Sequence, residues 1–174
     1  MDEIKNGKIN NLKLVASRLE SLAKEELFEK YKKIEHKLFE FANFMEAQLA
    51  FFYTPISNEM PTEKIIKKAL QIEKGIALPV FTYAKNVINL YKINNYDNDL
   101  VTNANDILEP DIEKCKKISL EEVDIAIIPG LAFDDKGGRI GFGNNFYNKL
   151  IVKLPETCRK VSIAYEEQIV DQIQ

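Results

Sequence analysis

Cysteine and histidine are nearly absent: Cys115, Cys158 and His36 are all the chain has. Neither thiol has a Cys or His partner at metal-ligand spacing, so a zinc site is not expected, and both read as structural residues. His36 sits among charged neighbours in the amphipathic run KEELFEKYKKIEHKLFEF. General-base work needs a positioned partner, so it reads as a surface residue. Long apolar runs are missing too; none approaches the roughly 18 residues that span a bilayer. The opening MDEIKNGKINN has charges with no apolar stretch behind them, unlike a secretion signal. Two distant thiols without an export signal fit the reduced cytoplasm. Charge of one sign is also lacking: Lys and Glu mix along the same segments, and the net charge is −3. That removes any global electrostatic reason to bind nucleic acid or an anionic membrane. No linker rich in Pro, Ser or Gly and no internal repeat breaks the chain, which is 45% apolar over 174 residues. One domain, 1–174, with a full hydrophobic core is expected.

The first 44 residues contain no proline and only Gly7. Leu12, Val15, Leu19 and Leu22 recur at helical spacing, then Leu27, Tyr31, Ile34, Leu38 and Phe41 do the same, with Ser21 as a plausible cap between two helices. The texture then changes. AQLAFFYTPI (47–56) reads as a buried strand stopped by Pro55, and Thr62 is placed to cap a helix with apolar residues Ile65, Ile66, Ala69 and Leu70. IALPVFT (76–82), NVINLYKI (86–93), VDIAIIPG (123–130) and VSIAYEE (161–167) read as further strands, and FYNKLIVKL as a helix. Residues 94–117 are polar and turn-rich. Helices alternating with short apolar strands predict an α/β fold, in three α/β/α layers, with a mainly parallel sheet behind two N-terminal helices. Ligands of such sheets bind at the carboxyl ends of the strands, so the loops after Phe52, Ile128 and Ala164 are expected to converge.

The chemistry concentrates in GRIGFGNNFYNKL (138–150). Gly141 and Gly143 let backbone approach a ligand where a β-carbon would collide. A helix starting near Asn144 would present unpaired N–H groups, and Arg139 offers a donor fork for phosphate oxygens. Neither common phosphate-loop pattern is present, so the residues alone leave an anion site and a plain strand-to-helix turn equally open. Glu59, in a loop after a buried strand, is either a ligand acceptor or a solvated carboxylate. The aromatic residues Phe51, Phe52, Tyr53, Tyr83 and Tyr91 are either a flat pocket or core. Lys5, Lys8, Lys13 and Arg18 are either the wet face of a helix or a phosphate contact.

In sequence order these motifs resemble the 5-formyltetrahydrofolate cyclo-ligase family, from about residue 12 to the end. IIPGLAFDDKGGRIGFGNNFYNKL is similar to the family's long glycine motif. NEMPTEKIIKKAL, IALPVF, VINLYKI, ILEP and SIAYEEQIV are similar to shorter family segments. The resemblance implies ATP-dependent conversion of 5-formyltetrahydrofolate to 5,10-methenyltetrahydrofolate, with Mg²⁺, in a monomer whose ligands are reduced folate and ATP. Arg139 and Tyr147 are then the catalytic residues. Lys8, Lys13, Arg139, Gly141, Phe142, Gly143, Asn144, Asn145, Phe146 and Tyr147 hold the nucleotide. Tyr53 and Glu59 hold the pterin. The motif departs from the family where Asn145 replaces glycine, Phe146 tyrosine, and Asn148 the aspartate associated with the metal. A neutral amide is a poorer ligand for a hard cation. Asn145 is expected in a left-handed conformation, which Asn tolerates. The sequence also ends at Gln174, ahead of an acidic segment and closing strand that members usually carry, so a second metal-associated carboxylate is expected to be missing. These departures leave a second reading, a paralogue that binds folate or nucleotide with little turnover.

Overall fold

The computed structural model describes residues 2–142 and 145–173. Two long helices, α1 (Asp2–Glu20) and α2 (Lys24–Glu40), and the short α3 (Ala42–Glu46) lead into strand β1 (Leu49–Phe51). Helix α4 (Glu63–Gln71) follows, then β2 (Gly75–Thr82) and β3 (Val87–Ile93). The polar stretch beyond holds a single turn, α5 (Tyr96–Asp99), a two-stranded ribbon of β4 (Leu100–Thr102) and β5 (Leu108–Pro110), and β6 (Lys116–Ile118). The last part contains β7 (Ile125–Ile127), a hairpin of β8 (Ala132–Phe133) and β9 (Arg139–Ile140), α6 (Phe146–Ile151) and β10 (Arg159–Val161).

The central sheet has six strands in the order β10-β7-β1-β2-β3-β6. The pairings β10–β7, β7–β1 and β1–β2 are parallel, while β2–β3 and β3–β6 are antiparallel. The antiparallel step follows from chain length. Only residues 83–86 separate β2 from β3, far too few for a crossover, and Asn86 takes the left-handed turn position at φ 49°. Both faces of the middle strands are covered. Successive strand side chains point to opposite faces. The Phe51 ring lies 6.3 Å from Tyr147 of α6, and the next ring, Phe52, lies 6.0 Å from Phe44 of α3. The predicted α/β layering and mainly parallel sheet are therefore present, with α6 on one face and α3 on the other.

Several local expectations shift. Ser21 does not cap the second helix; its hydroxyl donates back to the Arg18 carbonyl, and Ala23 occupies the cap position without a side-chain bond. Thr62 does stand at the start of α4, but its buried hydroxyl donates to the Tyr53 carbonyl at 2.7 Å. That bond helps to end β1 early: Phe52 N still donates to Ala77 O, after which Tyr53 turns away from the ladder. The final strand is displaced as well. Pairing covers Arg159–Val161, and the predicted 161–167 run is a loop after Ser162, whose hydroxyl takes the Ile128 carbonyl at 2.9 Å.

A smaller apolar cluster supports the site. Val15 of α1 packs with Ala132, Ile140 and Val170, flanked by Leu12, Leu19 and Ile173. Arg18 donates to the Ile169 carbonyl and Asn11 to that of Gln172, so α1 is laced to the C-terminal segment beside the β8–β9 hairpin. At the other end of the sheet, one Asp124 carboxylate oxygen accepts the N–H groups of Gln48 and Leu49 at 2.8 and 2.9 Å, setting where β1 starts. Asp124→Ala leaves both donors without that acceptor and is expected to destabilise the fold by about 2 kcal/mol, read as a lower urea midpoint, with Asp124→Asn losing less.

Candidate active site

The β8–β9 hairpin is held by its own carboxylate. Asp134 is buried; Oδ1 accepts from Lys136 N and Gly138 N, and Oδ2 from Ile173 N at 2.8 Å. These backbone donors, Ile173 first, keep its carboxyl below the usual range. Gly138 has no side chain because a β-carbon there would lie 2.5 Å from Asp134. The turn thus delivers Arg139, the next residue, in a fixed direction. One guanidinium N–H donates to the Pro129 carbonyl at 2.7 Å, just beyond β7, and another donates to the Asn148 amide oxygen on α6. A β-carbon at Gly141 would sit 2.5 Å from that guanidinium. The glycine makes room for the arginine.

Arg139 faces a cleft of about 280 Å³ lined also by Lys8, Asn11, Gly141, Phe142, Asn145, Tyr147 and Asn148. Guanidinium carries five N–H donors, so the two anchoring bonds leave others for a ligand. Burial lowers the guanidinium pKa, and neighbouring Glu59 opposes that shift. Tyr147 is buried, and burial, reinforced by Glu59 and Tyr53, holds its phenol well above its ordinary pKa. It is a neutral hydrogen-bond donor at physiological pH, not a base.

A second and larger cleft, about 560 Å³, opens between α1 and the loop after β1. Asn58, Glu59, Leu131 and Tyr165 share its wall, so the three predicted loops do converge. Glu59 is only 7% exposed, and Ile56 N donates to Oε2 at 3.1 Å. Burial raises its carboxyl to about 7, against the opposing effects of the Ile56 bond and the Arg139 charge. A carboxyl poised at this value exchanges between acceptor and donor across the physiological range.

The family model described as "5-formyltetrahydrofolate cyclo-ligase family" matches residues 7–173. This chain belongs to that family. A relative from Caenorhabditis elegans, named probable 5-formyltetrahydrofolate cyclo-ligase, is 28% identical, with 99% of this chain and 88% of the relative covered. The NMR structure of Aquifex aeolicus 5,10-methenyltetrahydrofolate synthetase superposes with a TM-score of 0.80 at 28% identity, covering 96% of this chain and 82% of that one. A Mycoplasma pneumoniae synthetase gives 0.71 at 19% identity over 100% of this chain and 92% of that one, a likeness of fold.

Against the cyclo-ligase motif, the geometry sorts the expected residues. Lys8, Arg139, Gly141, Phe142, Asn145, Tyr147 and Asn148 share the smaller cleft. Lys13 does not; it lines the larger one with Glu59. Gly143 and Asn144 lie outside the described residues. Phe146 is buried, its ring 5.1 Å from Phe81 and 5.5 Å from Tyr83, so it anchors α6 instead of lining the Arg139 cleft. Tyr53 is 1% exposed and donates to the Met60 carbonyl at 2.9 Å, which puts it behind the Glu59 loop, off the cleft wall. Asn145 adopts φ 61°, the left-handed conformation expected of it.

The Asn148 oxygen, expected at the metal, is engaged by Arg139. Among the described residues no group of three His, Cys, Asp or Glu side chains could hold a metal ion. A magnesium cage made by protein side chains alone does not fit these residues. Asp134 and Gln168 were not singled out from the sequence. Buried Gln168 reaches the Leu131 carbonyl at 3.2 Å and Tyr165 N at 2.9 Å, tying the two loops of the larger cleft together. The Asp-x-x-x-Gly spacing within a strand-turn-strand stretch was the available signal for Asp134; nothing local marks Gln168.

Glu59 gives a pH test. Its folded-state pKa is raised from 4.5 to about 7, so its contribution to stability is complete below 4.5 and lost as pH rises through 7. Glu59→Gln removes that loss. The variant's unfolding free energy relative to the parent is expected to improve by about 3 kcal/mol between pH 4 and pH 8 in paired denaturant titrations.

Proposed function

We propose that this chain is an ATP-dependent ligase that converts 5-formyltetrahydrofolate to 5,10-methenyltetrahydrofolate, releasing ADP and phosphate. The observation that carries the reading is Arg139, fixed by the Pro129 carbonyl and Asn148 and close enough to Glu59 for each charge to shift the other's pKa. One guanidinium thus serves the boundary between an anion cleft and a deep acid-lined cleft. The triphosphate is assigned to the first, with Lys8, the loop amides and Arg139; the pterin is assigned to the second, with Glu59 accepting from its ring N–H groups.

In the chemistry this supports, the formyl oxygen attacks the γ-phosphorus, an O–P bond forms, and ADP leaves. N10 then attacks the activated formyl carbon and loses its proton, and the C–O bond breaks to release phosphate. Such transfer depends on positioning and charge stabilisation more than on a protein nucleophile. Arg139 offsets charge on the moving phosphoryl group, and neutral Tyr147 donates a hydrogen bond beside it. Magnesium is assigned to the triphosphate itself, since hard cations with few protein ligands are bound largely through substrate phosphates. We place the enzyme in the cytoplasm as a monomer; the buried free thiols of Cys115 and Cys158 fit a reducing compartment. Among the described residues no helix is long and apolar enough to cross a membrane. His36, paired with Glu40 on the outer face of α2, has no part in the site.

Asn145 supplies the left-handed turn and Asn148 holds Arg139, so the loop is ordered around both replacements, and an assay decides between turnover and binding alone. The test is methenyltetrahydrofolate absorbance in the presence of 5-formyltetrahydrofolate, ATP and magnesium. ATP-dependent product is expected, and Arg139→Lys, which loses the fork geometry, is expected to lower kcat/KM by about 10²-fold with folate affinity little changed. Absence of product alongside tight calorimetric binding of folate would overturn the enzyme reading in favour of the binding protein.

A further inference from the structure

The segment after β10 touches both N-terminal helices and the β8–β9 hairpin. Arg18 of α1 donates to the Ile169 carbonyl, Lys30 of α2 pairs with Glu167 at 2.8 Å, and Val170 N donates to the Phe133 carbonyl. Each of these contacts lies beyond Tyr165, the residue of this segment that lines the Glu59 cleft. Leu131, which shares that wall, belongs to the turn leaving β7, and its own N–H is bonded to Ile140 within the hairpin.

Gln168, 1% exposed, joins the two. Its Oε1 accepts from Tyr165 N at 2.9 Å; Nε2 donates to the Leu131 carbonyl at 3.2 Å and, at a longer 3.4 Å, to that of Gly130. No other hydrogen bond among the described residues links Tyr165 to this turn. The partners dictate the side chain. One end of the gap needs an acceptor and the other a donor, and a neutral amide of this reach supplies both. An apolar side chain would leave a buried N–H and a buried carbonyl unsatisfied, and a carboxylate would face two carbonyls with no donor. Arg139 does not depend on this link, since its own anchors are the Pro129 carbonyl and Asn148.

We propose that Gln168 is a positioning residue for the folate side of the site: it sets the separation of Leu131 and Tyr165, and through them the fit of the pterin, without touching substrate. The inference rests on the functional reading above, which puts the reduced folate in the Glu59 cleft. Its consequence is asymmetric. Side chains that contact a ligand hold their geometry only as well as the bonds behind them, so losing Gln168 loosens the folate cleft and spares the anion cleft.

The experiment is calorimetry of 5-formyltetrahydrofolate and of a non-hydrolysable ATP analogue on the parent, Gln168→Met and Gln168→Glu. Gln168→Met keeps the reach and removes the bonds. Its folate affinity is expected to fall by about tenfold, with affinity for the ATP analogue within about twofold of the parent. Gln168→Glu carries a readout that a merely structural role would not move. Protonated, it reproduces the amide pattern, with an O–H for the Leu131 carbonyl and an oxygen for Tyr165 N. Its folate affinity is taken as a ratio to the parent's at each pH, so that titration of Glu59 cancels. That ratio is expected to recover as pH falls from about 8 to about 5, while the Gln168→Met ratio stays flat. Asp124→Ala, destabilised at the other end of the sheet, is expected to bind folate as the parent does.

Unchanged folate affinity in Gln168→Met, an equal loss for the ATP analogue, or a flat ratio in Gln168→Glu would each overturn the positioning role. Failure of both variants to fold would overturn it too, since the residue would then serve the fold alone. Binding is read without turnover, so the role is tested separately from catalysis. A parent that binds no folate would strike the functional reading itself, and the positioning role with it.

Discussion

The site depends on the placement of one guanidinium. Arg139 joins the end of β7, through the Pro129 carbonyl, to the start of α6, through Asn148, and the hairpin that carries it is pinned by Asp134. Each contact constrains a neighbour. Gly138 and Gly141 are small because the Asp134 carboxylate and the Arg139 guanidinium occupy the space their β-carbons would need. Helix α1 covers the hairpin with Val15 and is tied to the same C-terminal segment whose Ile173 N–H completes the Asp134 cage. A half-buried arginine costs desolvation. The fold offsets that with two acceptors and with the charge of Glu59, and obtains in return a donor fork held from two sides.

The electrostatics of the two clefts follow from burial. Glu59 is pushed up to about 7 because it is dry, and Tyr147 is held neutral for the same reason. Between them Arg139 stays cationic. Within a small region there are thus a permanent guanidinium cation, a neutral donor and a carboxyl that switches state near neutrality. That combination suits a reaction in which negative charge moves onto a phosphoryl group while a heterocycle is held by hydrogen bonds.

Much of the fold was legible because its signals are local. The helical spacing of Leu12, Val15 and Leu19, the strand run of VDIAIIPG, and the alternation of elements all reappear. The positions that slipped are those where a side chain intervenes in the backbone. Thr62 and Tyr53 cut β1 short, and Ser162 takes the Ile128 carbonyl where strand pairing was expected to continue. The motif loop was legible as a site through its resemblance, but the roles inside it were not. Gly141 reads as room for phosphate, and a β-carbon there would also meet Arg139; Asn148, which stands where the family has its metal-associated aspartate, accepts a hydrogen bond from that same arginine. Tyr53 and Phe146 share the aromatic composition of a pocket wall and are core, a distinction that depends on which way each ring faces. Gln168, joining residues nearly forty positions away in sequence, could not be found without the topology.

If the two clefts serve one ternary complex, the formyl oxygen in one must reach the γ-phosphorus in the other. Isotopic labelling reads this directly: 5-formyltetrahydrofolate carrying ¹⁸O in the formyl group is turned over with unlabelled ATP, and the released phosphate is analysed by mass. One labelled oxygen per phosphate is the expected result. Unlabelled phosphate, with the formyl oxygen released as water, would contradict the arrangement.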